Sequence, residues 1–464
     1  MEGLEVSIVP SRLLNDEFRF EAQFFRKRFL HDDDALARNE LVELGTFANV
    51  THGPHGYHEV DEDSPIAMLT ARSASDWFAD RSAADTIAEW VDKANRRSSL
   101  ESGDLILASR GTVGNCALVI PECLPANIDQ DVGRISFKEG PPVNPEYLNA
   151  YLNCTFGQDH IHRQASGMVQ QGISLAKIRA IPVPIFSARF QDSIRDCALE
   201  ALAQRRQSAA STEEAEATLL AALGLAGWSP PEPLSYTARA ADALTAARLD
   251  AQFYAPRIRA LLDVLGRDSR SVSDIARPRR DRFSAKKCDT FHYIEIGDVE
   301  GGGGVSANLL DSADAPSRAT WHVRTGDVLT STVRPIRRLS AIVAPDQDRY
   351  VASSGFAVLQ PTAVSPEVLM TFLRLPVICE LMDLFASASM YPAISEADIL
   401  GLPVPMIPTD VGDAVTAAVQ SAFTARARSR ALLSSAKRAV EIAIEDSEEV
   451  ALAYLATAGG EANG

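Results

Sequence analysis

Residues Arg248–Tyr254 read RLDAQFY, and residues Arg19–Phe25 have already read RFEAQFF. An arginine, an acidic residue, Ala-Gln-Phe and a closing aromatic recur in the same order. The echo continues along the chain. Ser102–Pro121 (SGDLILASRGTVGNCALVIP) answers to Thr325–Pro345 (TGDVLTSTVRPIRRLSAIVAP). Asn144–Leu152 (NPEYLNAYL) answers to Ser365–Leu373 (SPEVLMTFL), and Ser166–Pro184 (SGMVQQGISLAKIRAIPVP) to Ser387–Pro405 (SASMYPAISEADILGLPVP). The order is preserved and the offset stays between 221 and 229 residues. A period this long is not a solenoid unit; it predicts two similar domains in tandem.

Each half has one grammar. Gly103-Asp104 and Gly326-Asp327 predict a turn that feeds a buried strand, LILAS in one half and VLTST in the other. CALVI and SAIVA are the returning strands. NPEYLNAYL and SPEVLMTFL open as helices do, with Asn or Ser as cap, proline at the first helical position and glutamate soon after. IPVP and LPVP are extended, because each proline fixes φ and restricts its predecessor. The fold expected is α+β, with two tandem mixed α/β domains.

A helical segment follows each globule. The first, over 187–223, is rich in Ala, Gln, Glu, Arg and Leu and lacks Pro and Gly. The second, over 409–445, sets apolar residues mostly at three- and four-residue steps. Leu199, Leu202, Leu219, Val415, Val419, Phe423 and Leu433 are the expected seam. At roughly 1.5 Å per residue each rod is about 54 Å long. Such rods pack on each other or on a partner; the alternative is that each is a core helix of its own domain. The expected boundaries are therefore 1–186 and 248–408 for the domains, 187–223 and 409–445 for the helices, a Pro-rich linker over 224–247 and a tail over 446–464 that frays at its end.

The chain has 464 residues, 46% of them hydrophobic, and a formal net charge of −17. This is a globular composition of two or three domains. The acidity argues against unspecific attraction to nucleic acid, so any basic surface must be local. No basic n-region with an apolar run opens the chain and no long apolar run follows, so a cytoplasmic chain without membrane contact is expected. The six cysteines form no C-x-x-C pair and are expected as reduced thiols. Motifs of chemistry are missing: no G-x-x-x-x-G-K-[ST], no G-x-S-x-G, no Asn/Asp-Pro-Pro-Tyr/Phe, no spaced nuclease site. Glu300–Val305 (EGGGGV) predicts a flexible loop. His52, His55 and His58 in THGPHGYHE are the one metal candidate, but Gly53, Pro54 and Gly56 favour an irregular polar loop over a zinc site.

The ordered set resembles the specificity subunit of type I restriction–modification enzymes. The residues that carry the resemblance are Gly103-Asp104, Ser109–Gly114, Asn127–Asp131, Asn144–Leu148, Ser166-Gly167, Ile173-Ser174 and Ile181–Pro184, with their partial repeat and a long helix after each half. The resemblance implies two target recognition domains, each reading one half of a split double-stranded DNA target, separated by two antiparallel helices forming a coiled-coil-like arm. It implies no catalytic residue and no cofactor in this chain. S-adenosylmethionine would sit in partner adenine methyltransferase subunits, and a motor-nuclease subunit would join for restriction. Arg and Gln read guanine and adenine edges and meet phosphates. The candidates are Arg110, Arg163, Gln170 and Gln171 in the first half, and Arg277, Arg279, Arg280, Arg282, Arg334, Arg337 and Arg338 in the second. The acidity keeps a rival open: an assembly scaffold of a DNA-modification or phage-defence complex that reads no DNA.

Overall fold

The repeated phrases of the sequence become repeated strands. The computed structural model describes residues 7–9, 21–56, 58–167, 171–230, 232–246, 248–386 and 392–461. It divides into two units, Met1–Ala203 with Arg428–Gly464, and Gln204–Ala427. In the first, an antiparallel sheet runs in the order Ala48–His52, Val132–Phe137, Leu105–Ala108, Cys116–Leu118. In the second, the order is Ala276–Pro278, Phe356–Pro361, Val328–Ser331, Ser340–Ile342, again antiparallel. Each unit adds a two-stranded pair built on its Pro-Val-Pro phrase: Val42 faces Val183, and Arg270 faces Val404.

Local chemistry explains these elements. Gly103 and Gly326 sit at φ of 92° and 81°, a left-handed conformation that glycine adopts without steric cost. The strands they feed, Leu105–Ala108 and Val328–Ser331, are buried throughout. The Asn144 side chain accepts from the Tyr147 amide at 2.8 Å, and Ser365 from the Val368 amide at 3.2 Å. Both cap a nine-residue helix that opens with proline.

The halves diverge around a shared parallel pair. Ala67–Leu69 lies beside Ala126–Ile128 in the first unit, and Thr290–Ile294 beside Val351–Ser353 in the second. Only the second unit adds Asn308–Asp311 and Ala319–His322 on either side, making a further four-stranded sheet among the described residues.

The long helices are Ala188–Ala222 and Thr409–Glu445, and the boundary between the units falls inside both. In each unit they run antiparallel and share its core. In the first, Phe190, Ile194, Ala198 and Leu202 join Leu433, Ala436, Val440 and Ile444. The Ser429 hydroxyl donates to the Ala201 carbonyl at 2.8 Å. In the second, Leu219 and Leu223 join Val415 and Val419, with Phe423 half-buried against them. Ser211 and Ser421 are hydrogen-bonded at 3.2 Å. Leu199 is a correction: it is 51% exposed, because the buried positions Ile194, Ala198, Ala201 and Leu202 place the apolar face elsewhere.

The tail packs on the fold, and the expected looseness of the glycine run gives way. Glu448–Glu461 is a helix whose Ala451 is buried in the first unit, and Glu448 accepts from the Ser187 amide at 3.0 Å. The tail is therefore docked well beyond its start, while the end expected to fray, 462–464, lies outside the described residues. The middle of the glycine run is closely packed: a Cβ on Gly302 would lie 1.5 Å from the Arg426 guanidinium, and one on Gly303 2.3 Å from the Met370 sulfur. Glycine is present there for close approach. The six cysteines are free thiols. No described helix is long and apolar enough to cross a membrane.

Candidate nucleic-acid interface

In each unit, a turn of the four-stranded sheet common to both halves carries a candidate site. In the first unit the Ile173 amide donates to the Ser109 carbonyl at 2.9 Å, and Arg110 bridges Gly172. This fold-back brings Arg110 beside the segment that begins with the exposed Gln171. Gln170 lies outside the described residues. Asp131 organises the turn. Its carbonyl accepts from the Ser109 amide at 2.8 Å and the Ser109 hydroxyl at 3.0 Å. Its carboxylate meets the half-exposed Arg110 guanidinium at 3.4 Å.

The histidine loop docks on the same segment. His55 Nδ1 lies 3.0 Å from the Gln130 side-chain oxygen, and the His52 and His55 rings meet edge to face at 4.8 Å. A Cβ on Gly53 would fall 1.8 Å from the Ile128 carbonyl oxygen, so the loop needs glycine to come this close. Burial holds the Asp129 carboxyl above its usual range, opposed by the Asp131 amide. His55 and Gln130 thus enter the candidate surface beside Arg110, a grouping that sequence reasoning missed. The signal was the glycine at position 53 inside a polar run. No three metal-ligating side chains gather among the described residues.

The second unit repeats the fold-back. Val333 bridges Ala393, the Ile394 amide donates to the Thr332 carbonyl at 2.9 Å, and the Arg334 amide donates to the Pro392 carbonyl at 2.9 Å. Val333 stands where the first half has Arg110.

Several predicted contacts are committed inside the protein. The Arg163 side chain is 9% exposed. Its guanidinium donates to the Phe24 carbonyl and to Asp33, each at 2.7 Å, and lies 4.2 Å from the Phe24 ring centroid. Arg163 ties down the Ala22–Phe25 turn and is not a surface cation. Arg279 binds both oxygens of Asp327, at 2.9 and 2.6 Å. Arg338 donates to the Arg374 carbonyl at 2.7 Å and pairs with Glu216. Arg280 meets both oxygens of Glu396 on the surface and sits 5.7 Å from the Trp321 ring centroid. Arg277, Arg282, Arg334 and Arg337 are exposed, as are Lys286 and Lys287.

The Gly-Asp turns explain part of this. Asp104 accepts from Arg134 at 2.7 Å, as Asp327 does from Arg279. Burial pushes the Asp104 carboxyl up, while the Glu101 amide and Arg134 pull it down. In each half an arginine neutralises the buried turn carboxylate: Arg134 from the adjacent strand Val132–Phe137, and Arg279 from just beyond Ala276–Pro278.

No protein-family model matches the chain. Over 105 residues it is 32% identical to the type I restriction enzyme HindI specificity subunit of Haemophilus influenzae. That segment is 22% of this chain and 23% of the relative, so the match spans less than a quarter of either. Among solved structures, the S subunit of a type I restriction–modification system from M. genitalium aligns at a TM-score of 0.39 and 12% identity, covering 88% of this chain and 95% of that one. The HsdS subunit from Thermoanaerobacter tengcongensis aligns at 0.28 and 16%, covering 88% and 96%. The chain is similar to the specificity subunits of type I restriction enzymes.

Proposed function

We propose that this chain is the DNA-recognition subunit of a type I restriction–modification complex, each half reading one half of a bipartite duplex target. One observation carries the reading: the same four-stranded sheet and fold-back occur in both units, with different side chains on the turns. Arg110, His55, Gln130 and Gln171 line one turn region, and Arg334, Ile336 and Arg337 the other. A shared frame with divergent tips suits two related tasks on two different base sequences. Catalysis lies outside the chain in this reading. Adenine methyltransferase subunits bind S-adenosylmethionine and transfer the methyl group, and a motor-nuclease subunit cuts where the system restricts.

A second reading, a scaffold that reads no DNA, draws support from the net charge of −17 and from the internal ion pairs of Arg163, Arg279 and Arg338. Selection of bound sequences from random duplexes, with the full chain and its methyltransferase, separates the two. Recognition predicts two short sequence blocks at a fixed gap; a scaffold returns the unselected pool.

A further inference from the structure

The turn between strands Val328–Ser331 and Ser340–Ile342 has a composition unlike its counterpart. Val333–Arg338 reads VRPIRR, with three arginines and no acidic residue. Its centre is a single 3-10 turn, Pro335–Arg337, with Arg334 before it at φ 50° and Arg338 after it at φ 60°. Both flanking residues are in the left-handed region, which costs a β-carbon-bearing residue energy. The corresponding turn of the first half has Gly111 at φ 75° and Gly114 at φ 99°. The second half therefore accepts a strained backbone and keeps arginine side chains there.

The apex is apolar and presented outward. Ile336 is 54% exposed, while Pro335 beneath it is buried. In the first half Val113 is buried instead. The base of the turn is braced from three directions. Arg338 donates to the Arg374 carbonyl at 2.7 Å and pairs with Glu216 of the first long helix. Arg374 in return donates to the carbonyls of Arg338 at 2.9 Å and Ser340 at 3.0 Å. The Arg334 amide is held by Pro392 at 2.9 Å. What remains outward is Ile336, with Arg337 beside it.

We propose that Ile336 is a wedge that enters the base stack of one half-site, with Arg337 on a flanking phosphate; this rests on the DNA-recognition reading above. A wedge needs an apolar tip, since unstacked base faces reward apolar contact, and a cation beside it to hold the backbone. It also needs a stiff mount, because a tip free to retreat would not keep a base step open. The braced turn supplies all three. Separation of a base step bends the duplex, so the second half reads deformability as well as base edges.

The test uses the full chain with duplexes selected from a random pool. 2-Aminopurine is placed at successive steps of each half-site, and bending is followed by energy transfer between labelled ends. Wild type is expected to raise 2-aminopurine fluorescence at one step of one half-site and to shorten the end-to-end distance. Ile336→Ala is expected to abolish both signals and weaken binding about tenfold, and Ile336→Leu to retain them. Arg337→Gln is expected to weaken all sequences alike and lower the salt slope by about one, with unstacking intact. If wild type selects a bipartite sequence but unstacks no step, or if Ile336→Ala unstacks as wild type does, the wedge is overturned and recognition stands. If Ile336→Ala leaves DNA readouts intact but loses methyltransferase binding, Ile336 is a protein contact and the wedge is overturned. If wild type, with its methyltransferase present, selects no sequence, the recognition reading fails and the wedge with it.

Discussion

Arg279 meets both oxygens of Asp327, and the carboxylate is 1% exposed. Loss of one partner from such a pair leaves a charge without compensation, a change worth about 3–5 kcal/mol. Asp327→Ala is therefore expected to lower stability by that order, and Arg279→Met with Asp327→Leu to recover most of it. Urea unfolding curves of the three proteins check this; a single variant as stable as the parent contradicts it. A second carboxylate gives a pH signature. Burial first, then Asp159, pushes the Asp32 carboxyl from 3.8 up to about 6. A carboxyl whose folded pKa is raised stabilises the fold below its unfolded pKa and loses that contribution as pH rises through the folded one. Asp32→Asn should thus melt above the parent at pH 7 to 8, and the gap should close toward pH 3.8. Equal melting temperatures across that window would exclude an ionised, poorly solvated Asp32.

At the scale of elements, the two leucines Leu199 and Leu219 separate packing from periodicity. Leu219 is fully buried and Leu199 is half-exposed, although both sit in the same long helix. Leu219→Ala is expected to cost about 2–5 kcal/mol and Leu199→Ala under about 0.5 kcal/mol. Denaturant midpoints of the two variants decide it, and equal losses would contradict the seam drawn here. The long helices, the capped helices at Pro145 and Pro366 and the turns at Gly103 and Gly326 were legible in the sequence, because each rests on local chemistry of a few adjacent residues. Leu199 was misread because the first helix has a weak apolar stripe, and its face is chosen by the partner helix. Arg279 was misread because its partner Asp327 is 48 positions away. A basic stretch shows how many cations a loop holds; distant carboxylates determine which of them reach solvent. The glycine run was misread for the same reason, since Met370 and Arg426 fill the space that its missing side chains leave.

At the scale of the whole molecule, the duplication gives a frame twice and the turns distinguish its copies. A net charge of −17 sets a repulsive background against DNA, so attraction must come from local clusters. Those clusters differ in kind. The first half offers Arg110 on a partial ion pair with Asp131, with Gln171 in the segment folded against it. The second offers exposed Arg277, Arg282 and Arg337 on a more cationic surface. Phosphate contacts position a protein on the duplex, whereas base-edge contacts discriminate. Gln171→Ala with Arg110→Gln should therefore relax preference in one half-site, by about 1–3 kcal/mol per lost bidentate contact, and leave the other block unchanged. Arg277→Gln with Arg282→Gln should weaken binding to every sequence and flatten the salt dependence by up to about two units of slope. Sequence selection with each variant, repeated across a salt series, measures both effects at once. If the first pair of changes blurs both half-sites equally, the halves do not read separately. If the second pair leaves the salt slope unchanged, those arginines do not meet phosphate.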